Sequence, residues 1–302
     1  LSNFNLRNNS PDLRPVLQAL FVTFLWSTSW VLIKIGLQDI PALTFAGLRY
    51  SLAFLCLLPF SLRPARLASL RTLSRPAWVR LIILGLLFYA MTQGAQFLGL
   101  AYMPAVTVNL LLSFTSVVVA LLGIALLAER PTFLQWGGVG LSVMGALLYF
   151  YPVSLPASQT IGFIAVTIGV LANAGSSILG RHVNRGGDIQ PLTVTTISMG
   201  VGAMVLLATG VLIQGLPHLS LIHWAIIGWL AIVNTAMAFT LWNHTLRTLS
   251  AMQSTVINNT MVIQIPILAW LFLGEQITWQ EVAGLALAGL GALVVQLRRP
   301  QE

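Results

Sequence analysis

Stretches of roughly twenty residues with few or no charged side chains recur along this 302-residue chain, each long enough to cross a hydrocarbon layer about 30 Å thick as a helix. Lipid offers no hydrogen-bond partner to the backbone, so such stretches must form helices or a closed barrel. They are continuous rather than alternating, which excludes the barrel. Only 7% of the residues are charged and 57% are hydrophobic, against roughly a quarter charged in an ordinary soluble domain. The expected fold is an all-α polytopic membrane protein.

Apolar runs separated by polar, Pro-containing or basic breaks predict ten spans, near 16–36, 41–60, 78–100, 105–127, 132–151, 160–181, 191–213, 221–246, 251–273 and 279–297. With both termini on the cytoplasmic side, all but Lys34 and Arg49 of the 15 Lys and Arg residues fall in cytoplasmic loops or at their edges. That sorting is the positive-inside pattern, and a wrong span count would scramble it. It predicts a multi-pass protein of the cytoplasmic membrane, with Lys34 and Arg49 toward the outer face. The net charge of +8 is thereby a topology signal rather than a nucleic-acid patch. Residues 1–15 lack a short apolar region with a cleavage site, so the first span is expected to be retained. The lone Cys56 lies in an apolar span and permits no intrachain disulfide.

The two halves match at a constant offset. Glu129 in LLAERPTFLQWGGVGLSVMGAL and Glu275 in FLGEQITWQEVAGLALAGLGAL lie 146 residues apart, as do Trp78 and Trp224, Ala105 and Ala251, Gly138 and Gly284, and Gly145 and Gly291. Five spans per half is an odd number, so the second half enters from the opposite face as an inverted repeat. The predicted organisation is a cytoplasmic segment (1–15), a first five-helix repeat (16–151), an extracytoplasmic linker (152–159), a second repeat (160–297) and a cytoplasmic tail (298–302). Small residues at four-residue spacing in span 5 (Gly138, Ser142, Ala146) and span 10 (Gly284, Ala288, Ala292) permit close helix approach, by internal packing in preference to dimerisation.

The five-plus-five layout, the LLAER and FLGEQ segments before Gly-rich helices and the short Tyr102-Met103-Pro104 hairpin resemble the drug/metabolite transporter superfamily. Within it the chain is similar to the EamA-type ten-helix members that look like the YddG amino-acid exporters. The resemblance implies export of aromatic and other neutral amino acids, with amphipathic drugs or other metabolites as the alternative cargo. It also implies a central cavity lined by spans 1, 3, 4, 6, 8 and 9.

Polar side chains in mid-span are costly toward lipid and should face protein or a wet cavity. By that criterion the candidate substrate contacts are Tyr89, Gln93 and Gln96 on span 3, whose spacing of +4 and +3 places them on one helix face, with Asn109 and Ser113 on span 4, Asn173 on span 6, Asn234 on span 8, and Asn258 and Asn259 on span 9. Such groups bond a carboxylate or ammonium without fixing charge in the membrane, although bonds between helices would use them equally well. Trp26 and Trp30 share a face of span 1, while Phe239 and Trp242 lie in span 8. Such aromatic walls suit an apolar side chain, with Trp26 the foremost candidate, although core packing or lipid contact is the commoner use of such rings. Pro266 removes a backbone donor from span 9 and is the candidate gate.

No Asp or Glu falls in mid-span, so the residues name no proton carrier, and uncoupled facilitated transport is the simpler mechanism. No H-E-x-x-H or clustered carboxylate suggests a membrane-embedded enzyme, a metal or a cofactor. Only Lys34 and Arg49 lie away from the basic loops, too few cations for a polyanion, so a zwitterion or a neutral drug-like compound is the better substrate. The expected partners are a small-molecule substrate and membrane lipid, without nucleic acid, for a chain acting as a monomer or homodimer.

Overall fold

The computed structural model describes residues 13–61, 73–127, 132–152, 156–185, 189–245, 248–249 and 251–296. Glu129, on which the repeat match partly rests, lies outside them, as do Arg7, Arg63, Arg66, Arg71, Arg130, Arg247, Arg298 and Arg299.

The described residues form helices without a strand: α1 (Arg14–Gly36), α2 (Ala42–Ser61), α3 (Arg75–Tyr102), α4 (105–127), α5 (Phe133–Tyr149), α6 (Thr160–Arg185), α7 (Pro191–Gln214), α8 (221–245), α9 (251–273) and α10 (Trp279–Gln296). Nine helical stretches are long and apolar enough to cross a membrane, and the shorter apolar α5 makes ten helices among the described residues. Pro sits in the first turn of α1, α3 and α7, where its missing N–H costs nothing. Gly274 at φ 67° ends α9 in the left-handed conformation that an L side chain resists. The chain is a multi-pass, all-helical membrane protein.

Local geometry repeats with the sequence. Helix α4 breaks at Phe114, between Ala105–Ser113 and Thr115–Leu127, and α9 breaks at Thr260, between Ala251–Asn259 and Met261–Leu273. Each of those boundaries recurs 146 residues later. Reciprocal caps recur too. Thr132 N donates to Gln135 Oε1 at 3.0 Å and Gln135 N to Thr132 Oγ1 at 3.3 Å ahead of α5. Ahead of α10, Thr278 N donates to Glu281 Oε2 at 2.7 Å and Glu281 N to Thr278 Oγ1 at 3.2 Å.

Both α3 and α8 widen into π-helix in mid-course, over Gly85–Gln93 and Ile232–Met237. A π turn displaces carbonyls from their usual i+4 donors. A Thr fills the gap in each: Thr92 Oγ1 donates to Leu87 O and Thr235 Oγ1 to Leu230 O, both at 2.8 Å and both five residues back.

The repeats interlock through their glycines. A methyl group built on Gly138 would come within 2.8 Å of the Gly291 carbonyl oxygen, and one built on Gly284 within 2.7 Å of that of Gly145. The two contacts are equivalents of each other by the 146-residue offset, related by a pseudo-twofold axis with α5 antiparallel to α10. Gln135 Nε2 to Val295 O (3.2 Å) and Gln280 Nε2 to Leu148 O (2.8 Å) close the two ends of that seam. The small-residue spacing of spans 5 and 10 thus serves a contact inside one chain. Helices α2 and α7 pair similarly, through Leu43 N to Gln214 Oε1 (2.8 Å) and Ser61 to Thr196 (2.8 Å). Helix α1 packs on α8 and α9 of the other repeat, and α6 on α3 and α4, so each half packs its first helix against the other.

Candidate functional site

The run Trp26-Ser27-Thr28-Ser29 turns three hydroxyls back on α1: Ser27 Oγ to Thr23 O (2.9 Å), Thr28 Oγ1 to Leu25 O (2.7 Å) and Ser29 Oγ to Trp26 O (2.6 Å). Such back-bonding loosens a helix and lends its carbonyls to outside donors. Asn234, fully buried in the π segment of α8, uses this by donating its Nδ2 to Leu25 O and, at 3.4 Å, to Thr28 Oγ1. Its Oδ1 is buried without a partner.

Beside that contact the Trp26 ring lies 5.3 Å from Phe239 and 5.2 Å from Trp242, tilted at 55° and 52°. The Trp26 indole Nε1 is also buried without a partner. An unmet donor and an unmet acceptor therefore sit on residues joined through the Leu25–Trp26 peptide. Buried polar atoms are nearly always bonded, so this pair is a marked exception.

A second polar group joins α1 to α9. Ser27 Oγ donates to Gln264 Oε1 at 2.9 Å, and Gln264 Nε2 reaches Thr260 Oγ1 at 2.9 Å and Thr23 Oγ1 at 3.3 Å. Pro266 is buried two residues on. Lacking an N–H, it leaves the carbonyl of Val262 without its helical donor, and Asn109 Nδ2 of α4 approaches that oxygen at 3.4 Å. The break in α9 itself falls at Thr260 rather than at the proline, and its twin at Phe114 has no proline nearby.

The remaining candidates divide by neighbourhood. Tyr89 is buried and stacks edge-on with Tyr50 of α2 at 5.6 Å, while Gln93 Oε1 accepts from the Tyr50 hydroxyl at 2.7 Å. Both lie in the π segment of α3, where the turn is wider than the 3.6 residues used to place them on one face with the half-buried Gln96. Asn173 Nδ2 bonds Thr115 Oγ1 at 3.3 Å, joining α6 to α4, and Ser113 bonds its own helix at Leu110 O. Asn258 is exposed and Asn259 half-buried on the first segment of α9. The structure thus gathers Trp26, Asn234, Phe239 and Trp242 in one place and Asn109 with Pro266 in another.

Arg49 is a correction. The sequence places it toward the outer face, yet it is only 5% exposed, and its Nε donates to Thr235 Oγ1 at 3.2 Å in the middle of α8. Its guanidinium lies 5.2 Å from the Tyr50 ring centre and 6.0 Å from that of Phe97. The signal was available as a cation well inside an apolar run. Gln264, the isolated polar residue of MVIQIPIL, was equally visible.

Lys34 remains at the end of the bundle that carries the Tyr102–Pro104 turn. Its Nζ donates to Leu100 O at 2.7 Å and Met103 O at 2.6 Å. Glu275, entering from the other repeat, accepts from Ala105 N at 2.7 Å and Val106 N at 3.2 Å. Among the described residues no group of His, Cys, Asp and Glu is arranged to hold a metal ion.

Two inverted five-helix repeats crossed through α1 and α6, with half-broken helices and unmet polar atoms between them, define an integral-membrane transporter architecture. The sequence profile of the EamA-like transporter family matches residues 13–151 and again 160–297, and the chain belongs to that family. It is 27% identical over 246 residues to the uncharacterized inner membrane transporter YedA of Escherichia coli, covering 79% of this chain and 76% of that protein. It is 24% identical to the uncharacterized transporter YoaV of Bacillus subtilis, covering 91% of this chain and 94% of that one. A crystal structure at 18% identity superposes with a TM-score of 0.65 over 93% of this chain and 97% of its own, a likeness of fold.

Proposed function

We propose that this transporter carries small neutral or zwitterionic solutes, aromatic and other neutral amino acids above all, across the cytoplasmic membrane by alternating access. Both termini face the cytoplasm in this reading, and movement follows the solute's own gradient, outward when the cell holds the excess. The observation that carries it is the meeting of α1 and α8, where the Trp26, Phe239 and Trp242 rings adjoin an unmet indole N–H and the unmet Asn234 Oδ1. Rings favour an apolar or aromatic side chain by area and edge-to-face contact. The two unmet atoms suit a polar end group of either hydrogen-bonding sense.

Uptake of labelled Trp, Phe, Thr and Met into proteoliposomes, with and without an imposed pH gradient, tests this reading. Saturable uptake that is indifferent to the gradient and falls at least tenfold in Trp26→Ala is the expected result. Failure of all four solutes to move through folded protein overturns the amino-acid assignment.

A further inference from the structure

Arg49 carries more hydrogen-bonding capacity than the fold uses. A guanidinium has five N–H donors in a rigid fork, and among the described residues this one spends Nε alone, on Thr235. Thr235 commits its own hydroxyl hydrogen to Leu230 O, so toward Arg49 it is purely an acceptor. Among the described residues the one basic side chain within 4 Å of a carboxylate is His223, 3.2 Å from Asp39, and Arg49 has no carboxylate beside it. The other cation away from the basic loops is treated differently, for Lys34 is met by two backbone carbonyls.

Burying a cation without a counter-ion is expensive; the Tyr50 and Phe97 rings at 5.2 and 6.0 Å offset part of that cost but accept none of the remaining N–H donors in the plane of the fork. A neutral side chain would suffice to bond Thr235. The surplus is a positive charge and a planar fork, which together match a carboxylate in two parallel hydrogen bonds. The residue before Thr235 is Asn234, whose unmet Oδ1 is an acceptor for an ammonium group. The partner of Arg49 and the residue with the unused acceptor are thus consecutive in the π segment of α8.

From this we infer that Arg49 is the residue that binds the carboxylate of the transported solute, so the cargo must carry one anionic group. The inference rests on the transport reading above and narrows it from neutral solutes in general to carboxylates.

The test uses the full chain in proteoliposomes, with labelled phenylalanine as the probe and phenylalaninamide, phenethylamine and 3-phenylpropionate as competitors. The carboxylate 3-phenylpropionate is expected to compete. The amide and the amine should need at least tenfold higher concentration than unlabelled phenylalanine for equal inhibition. Arg49→Gln should raise KM at least tenfold and erase that preference, with Arg49→Lys retaining part of it. Equal competition by acid and amide, or a wild-type KM in Arg49→Gln, overturns the assignment. Should Arg49→Gln not fold, the competitor comparison on the wild type and the KM of Arg49→Lys decide. If the wild type moves no amino acid, the substrate reading fails on its own. Arg49 is then tested by thermal unfolding of purified protein with benzoate or 3-phenylpropionate against chloride. A rise confined to the wild type sustains the site, and no rise overturns it.

Discussion

Lys34 and Glu275 hold the same hairpin from opposite sides. Lys34 caps the carbonyl end of α3 at Leu100 and Met103, and Glu275 caps the amide end of α4 at Ala105 and Val106. The two charges come from different repeats, and each lies where the helix dipoles favour its sign. The turn between α3 and α4 is therefore tied to both halves of the molecule at once.

Removing one side of that tie leaves two amides unmet. Glu275→Ala should cost about 1–3 kcal/mol by the penalty for orphaned buried donors. It should also quicken labelling of Met103→Cys by a membrane-impermeant maleimide in a Cys56→Ser background. Unchanged labelling in folded protein would show that the carboxylate does not restrain the hairpin.

The α5–α10 seam predicts a sharp contrast among glycines. A side chain at Gly284 meets the Gly145 carbonyl oxygen and the Tyr149 backbone, whereas Gly137 and Gly140 have nothing within 4 Å. Gly284→Val should lose about 1–3 kcal/mol or more, in the overpacking range. Gly137→Ala and Gly140→Ala should behave as wild type. Size-exclusion recovery after a temperature series reads the difference, and equal recoveries would remove the seam from the account of stability.

The π segments rest on two threonines. Thr92→Val should cost roughly 1 kcal/mol, the net worth of one hydrogen bond, and Thr92→Ser should restore it. Thr235→Val should cost more, because it also strips Arg49 of its acceptor. Melting temperatures of the three variants order the effects. Thr92→Val falling below Thr235→Val would contradict the assignment.

Pro266 and Asn109 should be energetically coupled through Val262. Asn109→Ala leaves that carbonyl unmet while Pro266 is present, but Pro266→Ala supplies the missing backbone donor. A double-mutant cycle in thermal stability should give a coupling of about 0.5–1.5 kcal/mol. Additivity of the two changes would mean that the 3.4 Å approach contributes nothing.

Particular residues show what was legible beforehand. Glu275, Gly138 and Gly145 announced the repeat because they stand out in an apolar background, and the helix breaks at Phe114 and Thr260 repeat at the same spacing. Trp26 on span 1 and Phe239 and Trp242 on span 8 were named as aromatic candidates, and only the structure brings the three rings together. Tyr89, Gln93 and Gln96 were grouped by α-helical spacing, which the π segment of α3 does not keep. Arg49 was misplaced because charge sorting assigns a residue to an end of its span and says nothing of how far a long side chain reaches inward.

The sequence by itself determined the helices, their number and the relation between the halves. Lipid demands that each span satisfy its own backbone, and that demand is written locally in runs of about twenty residues. Only the tertiary structure decided which faces meet. Periodicity tells which side chains share a side of one helix, but the partner of Asn234 on α1, of Arg49 on α8 and of Glu275 on α4 depends on how the two repeats cross. That crossing is set by small residues whose close approach is worth energy only once both helices are in place.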